Sequence, residues 1–332
     1  MSVSWERREC DRELFERELD GFVPPAVFDA HAHLYIRELW PEPRGIIDIG
    51  PEVVTLSEFR AQAEWIMPGR RIDGLFLGFG DRSAVAEANA HVADEARTDD
   101  GCVGAMLVTP DMDPEHVREE VRRGGFSALK PYHRFVTGEM AWDADVEEFF
   151  PEQHARIAHE EGLCVVLHLV KARAVADARN QDSIRRYCAK YPEMKLILAH
   201  AARGFNPHHT VEGLVALGDL PNLFCDSSGI TDCGALEAVI EVLGPEKLLY
   251  GSDFPVSHFR GRCVAIGDSF VWLDEGTLDW EAVAAYSRIE PVLVGLEALR
   301  CLKLAARHAR LTDSQIAGVF GGNARRLLGL TP

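Results

Sequence analysis

The run Asp29-Ala-His-Ala-His33 sets two imidazoles two positions apart. Side chains at i and i+2 of a strand leave on one face. His31 and His33 therefore offer two nitrogen donors about 7 Å apart along the backbone, a pair suited to a borderline-soft divalent cation such as zinc. Alone this is a modest signal. Three later segments have the same form, an apolar run ending in a metal-competent residue: Leu163–Leu167 before His168, Lys195–Ala199 before His200, and Leu248–Ser252 before Asp253. A fourth, Phe126–Leu129, ends at Lys130. Singly, each reads as a hydrogen-bonded core histidine or a solvated loop boundary. Together, five strand ends supply His, His, Lys, His, His and Asp in order, and the bland reading fails.

The elements that must position these residues follow from the pattern. Short apolar runs are strands buried on both faces, as in a parallel sheet, and barrel enzymes carry their chemistry at the carboxyl ends of such strands. A charged helix over residues 5–20 precedes the Pro24-Pro25 break. Strands are expected to His31, over 74–79 and 102–108, to Lys130, His168 and His200, over 223–226, and to Asp253. Helices are expected over 56–67, 83–96 with Ser83 near its cap, 113–123 behind Asp113-Pro114, 145–161 closed by Gly162, 173–190, 211–217 and 235–243. Eight strands with interleaved helices make a (β/α)8 TIM barrel. An open doubly wound sheet would not bring five strand ends to one point. The first βα turn also lacks a glycine-rich dinucleotide fingerprint, so no nicotinamide or flavin is indicated. Residues 255–290 show little regular pattern and read as an insertion serving as a lid or a contact surface. Helices return over 291–308 and 313–328. The domain reading is a helical extension, 1–27, and one barrel, 28–330, including the insertion.

Composition bounds the class. Hydrophobic residues at 47% and charged residues at 27% are ordinary for a soluble globular chain. No apolar stretch reaches membrane-span length, and the first twenty residues lack the apolar core of a signal peptide. The eight cysteines form no CxxC pair, and those inside predicted strands act as small hydrophobes; a reducing cytoplasm is expected. A formal net charge of −18 repels a phosphate backbone, which argues against nucleic acid as a partner.

The ordered set Asp29–His33, Lys130, His168, His200 and Tyr250-Gly-Ser-Asp-Phe-Pro255, with the closing Phe320-Gly-Gly-Asn-Ala-Arg-Arg-Leu-Leu-Gly-Leu330, resembles the amidohydrolase superfamily, in particular its amidohydrolase-2 branch. The resemblance runs from residue 28 to 330 and explains least about residues 1–27 and 255–290. It implies a metal held by His31, His33, His168 and Asp253 in a mononuclear version, with His200 as acid/base or substrate polariser. In a binuclear version a carboxylated Lys130 bridges two ions, with His31, His33 and Asp253 on one and His168 and His200 on the other. Zinc is the first expectation, manganese or iron the alternatives. A bound cation can lower the pKa of water to about 7; Asp253 then takes its proton, and the metal or His200 stabilises the oxyanion. The implied reaction is hydrolysis of an amide, lactone or ester bond. The alternative is non-oxidative decarboxylation or hydration on the same site. A redox-active iron enzyme, or a metal-free binding protein, stands further off; none of the six positions is lost. A TatD-type deoxyribonuclease also begins with HxH, but the charge balance and closing motif disfavour it.

Loops on the active face add Tyr132, His133 and Arg134, Lys171 and Arg173, Arg203, His208 and His209, and His258 and Arg260. This cationic rim on an acidic protein fits a small anionic substrate, carboxylate-bearing by preference. Tyr132, His133 and Arg203 are the substrate-binding candidates. Phe270 and Trp272 could supply an apolar wall or pack in the core. A homo-oligomer is expected, joined through the N-terminal helix or the insertion.

Overall fold

The apolar runs become strands whose alternate side chains serve two different cores. The structure, a computed structural model, describes residues 4–41, 45–136, 141–279, 282 and 289–331. Eight parallel strands follow one another around a cylinder: β1 (Ala26–His33), β2 (Arg71–Leu77), β3 (Val103–Val108), β4 (Ala128–Pro131), β5 (Cys164–Leu167), β6 (Lys195–Leu198), β7 (Leu223–Asp226) and β8 (Leu248–Leu249). Phe28, Ala30, Leu75, Leu77, Val166 and Ile197 point inward and fill the barrel. Their neighbours Val27, Phe76, Val165 and Leu196 point outward into the helix layer. This period of two on fully buried strands is why each run reads as continuously apolar. The chain returns to β1 after β8 through Ala30 N–H to Tyr250 O (2.8 Å), Asp253 N–H to His31 O (2.7 Å) and His33 N–H to Phe254 O (3.0 Å). These bonds complete the (β/α)8 barrel.

The closing motif seals the amino-terminal end of the cylinder. Leu327, Leu328 and Leu330 pack against the inner core. Asn323, at the start of the helix Asn323–Leu327, donates from Nδ2 to Pro245 O and Leu248 O, each at 2.9 Å. The opposite end is left to the chemistry.

Most helices start where the caps predict. The Asp113 carboxylate accepts from Glu115 N and His116 N at 3.0 and 3.2 Å, with Pro114 in the first turn, and the helix Pro114–Gly124 ends on left-handed Gly125. Some expectations need correction; the helix expected over 211–217 begins earlier, as Pro207–Gly213, and runs into a tight turn, Leu214–Leu217. The helix expected over 83–96 spans Val85–Ala96, and Asp81, not Ser83, covers its entry by accepting from Ser83 N and Ala84 N at 2.8 and 3.0 Å. The helix expected over 145–161 is two, Val146–Phe149 and Glu152–Glu160, divided at Pro151, which has no N–H to continue the ladder.

The insertion after β8 is ordered where described. Residues 261–274 form an antiparallel hairpin, β9 (Gly261–Ile266) and β10 (Ser269–Asp274), turning on Gly267-Asp268 with Gly267 at φ 57. The remainder of the insertion, 280–281 and 283–288, lies outside the described residues. Ahead of the barrel, the helix Glu9–Leu14 continues through a wide turn, Phe15–Leu19. It is fastened to the insertion by a fully buried ion pair, Arg260 Nη1 to Asp11 Oδ1 at 3.0 Å and Nη2 to Oδ2 at 2.5 Å. All eight cysteines are free thiols. No helix among the described residues is long and apolar enough to cross a membrane.

Candidate metal centre and its cavity

The carboxyl ends of the strands bring the predicted residues together. Between Asp29 and Ala32 the register of β1 against β2 shifts, a bulge of the kind that re-aims side chains. His31 and His33 both present Nε2 to Asp253, each 3.6 Å from its Oδ1. Asp253 itself stands in left-handed backbone at φ 55 and is 8% exposed. Asp29, the first residue of the motif, lies outside the close donor groups. Its Oδ1 accepts from His31 N and Ser252 N, both at 3.0 Å, tying the two ends of the donor set together.

Hydrogen bonds fix the tautomers. His31 Nδ1 lies 2.9 Å from Asp226 Oδ2, and a carboxylate can only accept, so Nδ1 carries the proton and Nε2 a free lone pair. His200 Nδ1 lies 3.1 Å from Ser228 O, so it also donates. His200 Nε2 then accepts from His168 Nδ1 at 3.1 Å, which leaves His168 Nε2 buried without a partner. The donor atoms of His31, His33 and Asp253 form one close group and those of His31, His200 and Asp226 a second. His168 stands beside them, paired to His200.

Electrostatics keep this assembly poised. Burial alone would raise the Asp253 carboxyl, but the imidazoles of His200, His33 and His31 outweigh it and hold it down at about 2. Asp226, equally buried, is held well below the usual carboxylate range by His31, His200 and Ser228. Burial pushes His33 down to about 4, and His168 and His200 down as well, so these rings are neutral donors at pH 7. Lys130 is buried at the end of β4, 5.5 Å over the Tyr132 ring. Burial takes its ammonium down to about 8, against the pull of Asp253 and Asp226.

A cavity of about 650 Å³ opens on this cluster. Its walls are largely aromatic, with Phe79, Tyr132, Trp142, Phe205, Phe270 and Trp272 among them. Arg203 reaches it from a left-handed turn, His200–Arg203, whose φ values are 58, 47, 61 and 61. Left-handed backbone costs an L-residue about 1–2 kcal/mol. The turn is secured by His200 N–H to Asp226 Oδ1 at 2.9 Å and by Thr210 Oγ to Ala201 O at 2.8 Å. The Arg203 guanidinium lies 5.8 and 5.5 Å from the Trp142 and Phe270 ring centres and donates to Lys171 O at 2.6 Å. No carboxylate pairs with it among the described residues, and burial lowers its pKa.

Most of the wider cationic rim is engaged elsewhere. Arg260 is consumed by Asp11. His258 is buried under Trp5 and donates to Gln62 O. Lys171 is bound to Asp145 at 2.8 Å, Arg173 to Glu212 at 2.5 Å and His209 to Asp268 at 2.8 Å. His133 is buried, stacked on Tyr132 and His168 with Trp142 tilted against it, and both its ring nitrogens are unpartnered. Of the predicted cations, Arg203 and Lys130 line the cavity, joined there by Arg262 of the hairpin.

Comparison with known proteins places the chain in a family. Residues 28–330 match the amidohydrolase family. The chain belongs to that family. It is 23% identical over 269 residues to L-fucono-1,5-lactonase of Burkholderia ambifaria, covering 76% of this chain and 80% of the relative. Among solved structures, an amidohydrolase from Burkholderia multivorans with bound HEPES superposes with a TM-score of 0.62 at 16% identity, covering 92% of this chain and 100% of that one. The amidohydrolase from that species with bound zinc gives 0.58 at 17%, covering 92% and 100%. The 5-carboxyvanillate decarboxylase LigW from Sphingomonas paucimobilis gives 0.57 at 16%, covering 93% and 100%. These likenesses are of fold.

The cluster also includes residues that no motif marks. Asp226 and Ser228 hold His31 and His200 in place, yet Leu223–Asp226 is itself an apolar run ending in a carboxylate, the same signal that marks Asp253. Gly251 is a second case: a Cβ there would stand 2.9 Å from the Cβ of His31.

Proposed function

We propose that this amidohydrolase-family enzyme is a divalent-metal-dependent hydrolase opening a lactone or ester bond, with amides as the next class, in a small carboxylate-bearing substrate. The observation that carries the reading is the convergence of His31 Nε2, His33 Nε2 and Asp253 Oδ1 at the floor of an aromatic cavity walled on one side by an unpaired Arg203. The donor set fits a metal: buried, neutral imidazoles, an ionised carboxylate, and a spare buried acceptor at His168 Nε2. His31, His33 and Asp253 would hold the ion, with His168 beside them, and zinc is the proposed ion for such N/O ligands. When bound, a divalent ion supplies Lewis acidity and a water acidic near neutral pH.

The chain's own side chains do the rest. Asp253 accepts a proton from water and returns it to the leaving group. His200, its Nδ1 proton pinned on Ser228 O, accepts from His168 Nδ1 and so holds the His168 ring with its Nε2 lone pair free. Arg203 meets the substrate carboxylate, held between aromatic faces, with Tyr132 and His133 shaping the adjoining wall. Lys130 acts as an uncarboxylated amine orienting substrate; a carboxylated, bridging Lys130 would require a second ion on His168 and His200. The reading includes a cytoplasmic homo-oligomer in which 28–330 is one functional domain and 1–27 its fastening. The lactonase relative supports hydrolysis. The decarboxylase fold-mate keeps decarboxylation as the second reading.

The test joins metal content to product. Protein purified without chelator, and its His31→Ala variant, are subjected to elemental analysis, then assayed for acid release from aldono-1,5-lactones and carbon dioxide release from hydroxybenzoates. One ion per chain, lost in the variant, with acid release supports the hydrolase. Two ions restore the bridging Lys130, and carbon dioxide alone selects the lyase. No metal and no restoration by zinc, manganese or iron sinks the proposal. For Arg203→Met we expect KM to rise about 10- to 100-fold, the worth of a charge-assisted hydrogen bond, with kcat changed far less.

A further inference from the structure

Outside this centre, a second group of metal-competent side chains sits where two surface helices meet. Cys233 and Glu237 stand one turn apart on the helix Cys233–Leu243 and so share a face. His308 ends the helix Val294–His308. Their sulfur, oxygen and nitrogen donors all lie within 4.8 Å of one another, with His308 Nδ1 2.7 Å from Glu237 Oε1. Cys233 also lines a separate cavity of about 440 Å³.

We propose that Cys233, Glu237 and His308 bind a soft divalent cation of the zinc class, through thiolate, carboxylate and imidazole, with water from the adjoining cavity in the remaining position. The surrounding charges distinguish this group from the other sulfur-containing one. Asp73, Asp99 and Cys102 are also close together, but Arg60 Nη2 already lies 3.0 and 2.9 Å from the two carboxylates, and Arg325 pairs with Asp73. There a guanidinium occupies the place a cation would take. Around Cys233, three of the four cations lining the cavity, all but Arg307, are directed elsewhere. Arg300 pairs with Glu18 and Glu297, Lys303 donates to Glu18 O, and Arg262 donates to Thr231 O.

Binding exchanges one proton for the ion. Burial, with help from Glu237, keeps the Cys233 thiol protonated, pushed up to about 11. The cation replaces that proton, which leaves to solvent, so affinity falls as pH falls. The ion would join the helix after β7 to the last long helix of the chain.

Cadmium alone, titrated into the full chain, tests this through its sulfur-to-metal charge-transfer absorption. The donor groups of the barrel centre contain no sulfur, so cadmium bound there is silent in this band. We expect a saturable band with the amplitude of one thiolate. It should vanish in Cys233→Ser, need more cadmium in His308→Ala, and persist in Cys301→Ser, whose thiol lines the same cavity. Circular dichroism verifies that each variant is folded. No band in the native chain, or a band surviving in Cys233→Ser, overturns the site; loss of the band in folded Cys301→Ser overturns the donor set.

Discussion

His31 can serve an ion only through Nε2, because Asp226 keeps the proton on Nδ1. The same carboxylate accepts from His200 N and the Ser228 hydroxyl, so one buried anion orients two histidines. Replacing it by Asp226→Asn keeps the shape but weakens the anchor and allows the ring to turn. We expect metal affinity to fall about 10- to 100-fold, read by competition with a chromophoric chelator; unchanged affinity would mean that Asp226 does not orient the ligand. At this scale the sequence points to His31, His33, His168, His200 and Asp253 because each stands in or just beyond an apolar strand run, and the structure sets all five on one cavity. It says less about the rim. Loop cations such as Arg173 and Arg260 look alike in sequence, and only their acidic partners, 39 and 249 residues away, show that they are not free for substrate.

At the scale of elements, the barrel was readable because eight buried strands repeat one signature, whereas the hairpin β9–β10 was not. Its strands alternate weakly, with Arg262 and Ser269 among half-exposed apolar residues, and only the Gly267-Asp268 turn marks it. Yet the hairpin supplies Phe270 and Trp272 to the cavity and is held down at its turn, where Asn206 Nδ2 donates to Gly267 O and Ser269 O at 3.0 and 3.1 Å. Its base depends on Gly261, at φ 142, where a Cβ would fall 1.9 Å from Leu273 O. We expect Gly261→Ala to loosen the hairpin while sparing the metal. Limited proteolysis should then cut within 255–279, with KM raised and metal content retained; a protease-resistant variant with native KM would show that the hairpin does not build the wall.

Across the whole molecule, the N-terminal segment is fastened to the insertion by Arg260 and Asp11, both without exposure to solvent. A buried charge left unpaired costs about 3–5 kcal/mol. Asp11→Ala should lower the urea midpoint accordingly, and the paired replacement Asp11→Leu with Arg260→Met should recover much of the loss. Stability should also depend on pH through His258, stacked on Trp5 at 5.0 Å and donating to Gln62 O. Burial lowers its folded pKa to about 4 from 6.5. The unfolded chain therefore takes up the proton first, and the contribution, full above pH 6.5, is lost as pH falls toward 4. At pH 5 this amounts to about 2 kcal/mol. Urea unfolding at pH 8 and 5 should show the loss in the native chain and a smaller one in His258→Gln. An equal loss in both would assign the effect to other groups.

The seam of the cylinder gives the proposed ion a second consequence. β8 has two residues, and the joint to β1 rests on a few backbone bonds and Asp29. His31 and His33 stand on one side of that joint and Asp253 on the other. A cation gripped by all three would rivet the two edges, as a clasp closes a bracelet. Loading it should slow hydrogen–deuterium exchange at the Ala30, His33 and Asp253 amides more than at strands on the far side of the wall.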